Sequence, residues 1–386
     1  MPSGALTQEG PGLNQEDEKF EPVWAVGFMT GTSVDAVDAA MLLTDGEQIL
    51  EFGPTAEVRY APEERAIVMD AISAARAWNF KGKEPRAIFA MAERIAVGLH
   101  AQALEQLLSG WQGPLPSLAG VHGQTVLHRR PTPDRRGATR QIINARAMRQ
   151  ALDLPLAFDF RTADVRAGGE GAPLAPAYHA ARMRGSDVPT VVLNLGGVAN
   201  ITAIGENGDL IAFDTGPANG PIDEWIERHG AGSYDKDGEF AASGIVDNDR
   251  LQTWLEKPYF SEPWPKSLDR FDFSADLADG LSLEDGAATL TALSAHGIRL
   301  GVNSLPVKPE QIIVCGGGRH NPILMKLLAE AIGADTKPAE SVGWKGDSTE
   351  AEAFAFLAVR ALRKLPISWP GTTGAKSPLS GGEILA

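Results

Sequence analysis

Two carboxylates follow a glycine-containing turn near the start of the chain. In VWAVGFMTGTSVDAVDAAMLL, residues 23–43, two apolar runs flank a turn of glycine and hydroxyl residues, and the second run contains Asp35 and Asp38. Successive backbone N–H groups in a tight turn form a concavity for anions, and glycine lets a phosphate approach the backbone. Mg²⁺ takes one or two carboxylates and keeps several waters. The stretch predicts a phosphate-binding turn with Asp35 as a metal ligand and Asp38 on the other side of the strand.

Two further glycine turns end apolar, strand-like runs. LGG at 195–197 ends TVVLNLGG, and GGG at 316–318 ends QIIVCGGG. Each of these turns alone is better explained as a plain tight turn. Together with the first turn, they place one candidate anion site at the start of each half and a third at a strand-to-helix junction. This arrangement favours a nucleotide held between two domains.

An aspartate ends another apolar run in the second half of the chain. In FDTGPANGPIDEW, residues 213–225, Asp214 is followed directly by a Thr-Gly turn that leaves room for a ligand. A carboxylate in this position is either a catalytic group or an Asx-turn residue that bonds its own backbone. We favour the catalytic interpretation and keep the structural one open.

Three other polar blocks can line a sugar pocket, and each also has a structural explanation. GVHGQT at 120–125 is either pocket lining or core, AFDFRTADVRAGGEGAPLAP at 157–176 either binds ligand or braces its own loop, and PYFSEPWPKSLDRFDF at 258–273 either closes over a sugar or is a surface loop. The candidate polar side chains of these blocks are His122, Gln124, Thr125, Asp159, Arg161, Asp164, Lys266 and Arg270.

Composition narrows the class of protein. A chain of 386 residues with 43 % hydrophobic residues suggests two domains with large cores. Its net charge of −15 argues against nucleic acid or an anionic membrane surface as the main partner. The single cysteine, Cys315, excludes cysteine-built zinc or iron–sulfur sites. No apolar run approaches a membrane span and the first 21 residues lack a signal-peptide pattern, so we predict a soluble cytoplasmic protein.

Strands and helices alternate along the chain, which predicts layered α/β packing. Strand-turn-strand units at 23–43 and 190–205 begin two halves of similar length, and helical periodicity follows each of them. We therefore expect two similar α/β domains flanking a cleft. The expected segments are a disordered tail at 1–21, an N-terminal domain at 22–189 for sugar and phosphate, a C-terminal domain at 190–345 for the nucleotide, a closing helix at 346–365 that packs back on the N-terminal domain, and a polar tail at 366–386.

These blocks, in this order, resemble the anhydro-N-acetylmuramic acid kinases, a branch of the sugar kinase, actin and heat-shock ATPase superfamily. The resemblance runs from about residue 23 to 362, through the blocks quoted above and EAEAFAFLA at 350–358. It implies a ribonuclease H-like, actin-like ATPase fold with ATP and Mg²⁺ in the cleft. It also implies hydrolysis of the 1,6-anhydro bond of a recycled cell-wall sugar with phosphorylation of O6.

The resemblance assigns roles to residues of this sequence. It implies that Asp214 is the general base. The residues implied to bind ATP are Gly31, Thr32, Ser33, Val34, Asp35, Ala36, Val37, Asp38, Gly196, Gly197, Gly316, Gly317 and Gly318. The residues implied to bind the sugar are His122, Gln124, Thr125, Asp159, Arg161, Asp164, Lys266 and Glu350.

The chain departs from the family pattern at two places, and the second leaves the fit of the substrate loop open. Ala36 stands where the family usually has glycine, and Leu268-Asp269 replaces a Thr-Gly pair between Lys266 and Arg270. Related levoglucosan kinases share the blocks, so another anhydrosugar is one alternative, and a non-catalytic, actin-like ATP-binding regulator is another. A homodimer is compatible with the sequence.

Overall fold

The computed structural model describes residues 20–386 except Thr32, Pro133, Glu206 and Phe271. Its β-strands are β1 (Val23–Thr30), β2 (Ala36–Thr44), β3 (Ile49–Arg59), β4 (Leu118–Val121), β5 (Gln124–Arg129), β6 (Ala138–Ile142), β7 (Leu156–Phe158), β8 (Thr190–Leu195), β9 (Val198–Ile204), β10 (Leu210–Pro217), β11 (Gln311–Cys315), β12 (Asp335–Pro338), β13 (Pro366–Ser368), β14 (Leu379–Ser380) and β15 (Glu383–Leu385). Its α-helices are α1 (Pro62–Trp78), α2 (Arg86–Leu108), α3 (Ala145–Leu152), α4 (Thr162–Arg166), α5 (Pro176–Met183), α6 (Asn219–Arg228), α7 (Glu239–Ser243), α8 (Asn248–Leu255), α9 (Pro258–Ser261), α10 (Leu283–Asn303), α11 (Pro322–Ile332), α12 (Thr349–Leu362) and α13 (Pro370–Thr373). Short 3₁₀ helices lie at Lys236–Gly238, Ala275–Ala278, Gly317–His320 and Ala339–Val342.

Two mixed sheets repeat one strand arrangement. The first sheet has the order β15-β7-β4-β1-β2-β3, and the second has the order β10-β9-β8-β11-β12. In each sheet the first three strands of the chain are antiparallel neighbours, β1-β2-β3 in one and β8-β9-β10 in the other. Two later strands then extend the sheet in parallel from its first strand: β4 followed by β7 beside β1, and β11 followed by β12 beside β8. The repeat confirms the predicted α/β class with two similar halves. The domain boundaries given above remain predictions.

The central strands are buried on both faces, and their sequences show it. On β1, Val26 and Phe28 pack into a core with residues of α1 and α2, whereas Ala25 and Met29 pack on the opposite face with residues of α12. Every residue of β8 is buried as well. A strand covered on both faces has a continuous apolar run rather than an alternating one. A charged residue such as Asp38 is unusual in a strand that is buried on both faces, which is why it stands out in the sequence.

Helix α12 lies directly on the backbone of the first sheet. A Cβ atom on Gly27 would lie 2.0 Å from the Ala351 carbonyl oxygen, and one on Gly120 would lie 2.2 Å from the Phe354 carbonyl oxygen. Only glycine permits this approach, because any side chain would displace the helix. The contact fixes the start of α12, and with it Glu350, beside β1 and β4.

The segment 366–386, predicted as a polar tail, is ordered and partly buried. It contains β13, α13, β14 and β15, and β15 pairs with β7 at the edge of the first sheet. Ile367, Thr372 and Thr373 are buried. Elements of two to four residues are too short to show a hydrophobic period. The prediction of a tail therefore depended on the polar composition of the segment alone.

The apolar stretch at 116–126 is divided between two strands. It forms β4 and β5, and the break falls at His122 and Gly123, where Gly123 has a φ of 77°. None of the helices in the described ranges combines the length and the apolar composition needed to cross a membrane.

Candidate active site

The opening turn between β1 and β2 is held from two sides. The Val34 N–H donates to the Gly31 carbonyl at 3.2 Å, and Val34 has a φ of 57°. Arg65 of α1 donates to the Ser33 carbonyl at 3.2 Å, and Gln124 donates through Nε2 to the Gly31 carbonyl at 3.3 Å. A left-handed valine is rare and is maintained only where its surroundings determine it. These contacts hold the turn beside the block at 120–125, one of the three blocks predicted to line a sugar pocket.

The predicted ATP-binding residues of this turn differ in what they expose. The side chains of Val34 and Val37 are buried in the core of the first half, so only their backbones can face a ligand. Gly31 and Ala36 are half-buried, and Asp35 is exposed. Thr32, also predicted to bind ATP, lies outside the described residues.

Asp35 and Asp38 lie in different environments. The Asp35 side chain is 68 % exposed, and its Oδ1 lies 3.8 Å from Nε of Arg65. Asp38 pairs with Met29 and so shares the face of Gly27 that α12 covers. Burial, and after it the charges of Glu57, Glu350 and Asp347, raise the pKa of Asp38 to about 7. Asp38 therefore lies beside the start of α12, in a different environment from the exposed Asp35.

The charge of Asp35 influences a second carboxylate, Asp223. Burial raises the pKa of Asp223, on α6, to about 7, and the nearby charge of Asp35 contributes to this rise. Within the described ranges no group of three or more His, Cys, Asp or Glu residues could hold a metal alone. Mg²⁺ bound with a nucleotide needs only one or two carboxylates, because phosphates and waters supply the other ligands. The donor chemistry of Asp35 and Asp223 therefore fits Mg²⁺.

The two glycine turns of the second half meet each other. A Cβ atom on Gly316 would lie 2.5 Å from Asn194 Oδ1, and one on Gly318 would lie 2.7 Å from Leu195 Cβ. A Cβ atom on Gly317, by contrast, would have no neighbour within 4 Å. The structure thus brings the second and third predicted turns together and leaves open space at Gly317.

The LGG turn is tied to the start of α6. The Gly196 carbonyl accepts from Asn219 N at 3.0 Å, and the Gly197 carbonyl accepts from Ala218 N and Gly220 N at 3.1 Å each. Because α6 also carries Asp223, the turn and the second carboxylate belong to one rigid unit.

Asp214 lies near the end of β10 and is almost completely buried. Its Oδ2 accepts from the Leu268 N–H at 2.7 Å, and its own N–H donates to the Lys266 carbonyl at 3.0 Å. The Tyr259 hydroxyl donates to the Asp214 carbonyl at 2.5 Å. The segment from Tyr259 to Leu268 therefore fixes both the backbone and the carboxylate of Asp214.

The electrostatic surroundings of Asp214 give it a near-neutral pKa. Burial raises this pKa to about 7, although the Leu268 N–H and the positive charge of Arg161 lower it. The negative charges of Glu170 and Asp272 raise it further. A pKa close to neutral is what a general base needs in order to accept a proton at physiological pH.

Arg161 is at the centre of the predicted sugar residues. Its Nε donates to Nε2 of His122 at 2.9 Å, and its Nη1 donates to the Gly171 carbonyl at 2.7 Å. Burial, followed by the charge of Arg161, lowers the pKa of His122 well below its usual range, so this histidine is neutral and accepts at Nε2. Burial raises the pKa of Glu350, which the charge of Arg161 opposes. The structure thus brings His122, Arg161 and Glu350 together near Asp214.

Two buried oxygen atoms at this place have no hydrogen-bond partner among the described residues. They are Thr30 Oγ1, at the end of β1, and Gln124 Oε1, at the start of β5. Buried polar atoms are nearly always paired, so an unpaired one needs an explanation. The two oxygens lie between the opening turn and the sugar block, where a bound ligand can supply the missing donors.

Four predicted sugar residues make contacts within the protein. Lys266 donates through Nζ to the Tyr259 carbonyl at 2.7 Å, and burial lowers its pKa. Thr125 Oγ1 accepts from Gln141 at 3.3 Å. Asp159 Oδ1 accepts from the Thr162 N–H at 3.3 Å, and Asp164 uses both carboxylate oxygens within the protein, as detailed below. These contacts favour a structural role for each of the four, although only the block at 157–176 was expected to brace its own loop.

Contacts between the two halves were missed at the sequence level. Ser267 donates to Glu170 at 2.6 Å, and Arg130 donates to Glu262 at 3.0 Å. Glu170 lies in the block at 157–176, and Ser267 follows Lys266 in the block at 258–273. Their positions in these two blocks were the one sequence signal that could have indicated the contact.

The chain is similar to one protein family over most of its length. A family model described as anhydro-N-acetylmuramic acid kinase matches residues 23–386. An anhydro-N-acetylmuramic acid kinase of Rhizobium rhizogenes is 50 % identical over 95 % of this chain and 100 % of the relative. The protein of that name from Caulobacter vibrioides is 51 % identical over 93 % of this chain and 98 % of the relative. Among solved structures, (R)-2-hydroxyglutaryl-CoA dehydratase component A of Acidaminococcus fermentans matches with a TM-score of 0.45 and 14 % identity, over 89 % of this chain and 100 % of that one.

Proposed function

The chain belongs to the anhydro-N-acetylmuramic acid kinase family, and on this premise we propose that it opens 1,6-anhydro-N-acetylmuramic acid with water and phosphorylates O6 from ATP. The product is N-acetylmuramic acid 6-phosphate. The observation that carries the proposal is the buried Asp214 carboxylate, with a pKa of about 7, beside Arg161 and the predicted sugar residues. The homodimer and the cytoplasmic location remain predictions.

Asp214 is the group that activates water in this proposal. Its Oδ2 is occupied by the Leu268 N–H, so Oδ1 is the oxygen that takes the proton. The water oxygen bonds to C1 as the C1–O6 bond breaks, and the freed O6 then attacks the γ-phosphate of ATP. The bond from the γ-phosphorus to the ADP oxygen breaks in that second step. Phosphoryl transfer otherwise needs alignment and charge neutralisation, and we assign the three glycine turns to the phosphates.

We place Mg²⁺ at Asp35, with Asp223 as the second carboxylate. The ion would neutralise charge on the phosphates. Replacing Asp35 with Asn should raise the Mg²⁺ concentration needed for half-maximal rate by roughly 10- to 100-fold, as expected for a disturbed metal site. Mg²⁺ titration of the sugar-dependent rate measures this change. The exposed Asp70 on α1 gives the matched control, Asp70→Asn. An unchanged Mg²⁺ requirement in Asp35→Asn would show that Asp35 is not a ligand.

Reaction in ¹⁸O-labelled water tests whether hydrolysis and phosphorylation are one process. We expect label at C1 of the sugar product and none in the transferred phosphate, because water adds to C1 and O6 comes from the sugar. The measurement is mass spectrometry of the product, with unlabelled product incubated in the same water to correct for exchange at C1. An unlabelled C1 would indicate a kinase acting on a free hydroxyl. Label in phosphate would indicate simple ATP hydrolysis.

A further inference from the structure

The C-terminal strap, residues 366–386, contacts both halves of the molecule. Its strand β15 extends the first sheet by pairing with β7. A Cβ atom on Gly371 would lie 2.3 Å from the Leu210 carbonyl oxygen, at the start of the strand that carries Asp214. A Cβ atom on Gly374 would lie 3.3 Å from Pro265, in the segment that holds the Asp214 carboxylate. The strap therefore lies close to the elements that position the base.

The strap also grips the glycine-rich loop that follows α4. Thr373 donates through Oγ1 to Asp164 Oδ2 at 2.6 Å, and the Gly171 N–H donates to Asp164 Oδ1 at 2.7 Å. The Glu170 N–H donates to the Thr373 carbonyl at 2.6 Å. A Cβ atom on Gly169 would lie 2.2 Å from Asp164, so the loop is folded tightly around this carboxylate. Thr373 and Asp164 thus determine where Glu170 lies.

From this loop, Glu170 reaches the segment that holds Asp214. Ser267 is fully buried and donates through Oγ to Glu170 Oε2 at 2.6 Å. The next residue, Leu268, donates its N–H to Asp214 Oδ2 at 2.7 Å. A continuous series of short hydrogen bonds therefore links the strap to the carboxylate of the base.

We propose that the C-terminal strap is a positioning element for the catalytic base. Thr373 fixes Glu170, Glu170 fixes Ser267, and Ser267 keeps the Leu268 N–H on Asp214. The inference rests on the proposed function, because it takes Asp214 as the base. None of Thr373, Glu170 and Ser267 needs to touch the reacting atoms for this role.

The positioning role has a signature in the pH profile. The Leu268 N–H and Arg161 lower the pKa of Asp214, whereas burial and the charges of Glu170 and Asp272 raise it. If the strap no longer holds Leu268 in place, the pKa of Asp214 rises. The acidic limb of the rate profile should then move to higher pH, an effect that lost stability alone does not produce.

A double-mutant cycle tests the proposal. Thr373→Val and Ser267→Ala should each lower kcat by roughly tenfold, as expected for losing a hydrogen bond to a charged group, with KM for ATP unchanged. Ser267→Ala, which leaves the contacts of Thr373 with Asp164 and Glu170 in place, should also move the acidic limb upward. The double variant should be little worse than either single variant, because both break one series of contacts. Thr373→Ser keeps the hydroxyl and should retain the parental kcat and limb.

Three outcomes would overturn the proposal. The first is a double variant slowed about a hundredfold, the product of the two single effects that independent sites predict. The second is an acidic limb that does not move in Ser267→Ala. The third is a Thr373→Ser variant as slow as Thr373→Val. If Thr373→Val does not fold, Ser267→Ala decides alone, since a parental kcat and limb there would overturn the proposal. The base assignment is tested separately by Asp214→Asn: a large loss there with independent effects in the cycle would reject only the positioning role.

Discussion

Replacing Asp214 with Asn should lower the sugar-dependent rate of ADP formation by about 10²- to 10⁴-fold, the usual contribution of a general base. Asparagine keeps the shape of the side chain and can still accept from the Leu268 N–H, but it cannot take a proton from water. KM for ATP should change little, because the loss falls on the transition state. Steady-state kinetics at saturating sugar measure both quantities. Asp209→Asn, at an exposed turn before the same strand, is the matched control.

The pH dependence gives the same prediction an independent measurement. Only the ionised Asp214 can accept a proton, and its pKa is about 7. The rate of the parent should therefore fall as the pH decreases through about 7, and Asp214→Asn should lose this limb. A variant as fast as the parent would move the base elsewhere. Asp164 is then a poor substitute because both of its oxygens accept internal hydrogen bonds, so Glu350 beside Arg161 would be the next candidate.

Asp214 could be proposed as the base from sequence because its signal is local. An apolar run, a carboxylate and a small-residue turn are adjacent in the chain, so strand-end geometry followed from the pattern. The two-sheet architecture was predictable for the same reason, since each half begins with its own strand-turn-strand unit. Glu170 and Ser267 are separated by 97 positions, and no local pattern indicates that they are bonded. Contacts of this kind become visible only when the strand order is known.

Lys266 has a partner within the protein that the sequence did not indicate. A lysine in an aromatic loop is typical of sugar or phosphate binding, and the sequence left open whether this loop closes over a sugar or lies on the surface. In the structure its ammonium group donates to the Tyr259 carbonyl and lies 4.5 Å from the centre of that ring. The sequence does not show where the backbone carbonyl groups of a loop point, so the contact between Lys266 and the Tyr259 carbonyl could not be predicted. In the same way, the polar composition of the strap did not indicate that its hydroxyl groups, such as that of Thr373, are buried and hydrogen-bonded.

Replacing Arg161 with Met should have the second large effect, about 10²- to 10³-fold on the rate, by analogy with the loss of one preorganised donor in an active site. The substitution removes the buried positive charge that lowers the pKa of both Asp214 and Glu350. The pKa of Asp214 then rises above about 7, so a smaller fraction is ionised at neutral pH. The acidic limb should move upward, and alkaline pH should restore part of the rate. The measurement is the complete pH profile of kcat/KM.

Arg161→Lys separates charge from geometry in this prediction. Lysine keeps the positive charge, so the acidic limb should stay closer to that of the parent. Its single ammonium group cannot reproduce the two bonds that Arg161 makes, to His122 Nε2 and to the Gly171 carbonyl, so kcat should still fall. Circular dichroism confirms that each variant is folded before its rate is interpreted. If Met and Lys variants lose the rate equally and neither moves the limb, Arg161 acts by shaping the pocket, and the near-neutral pKa of Asp214 does not depend on its charge.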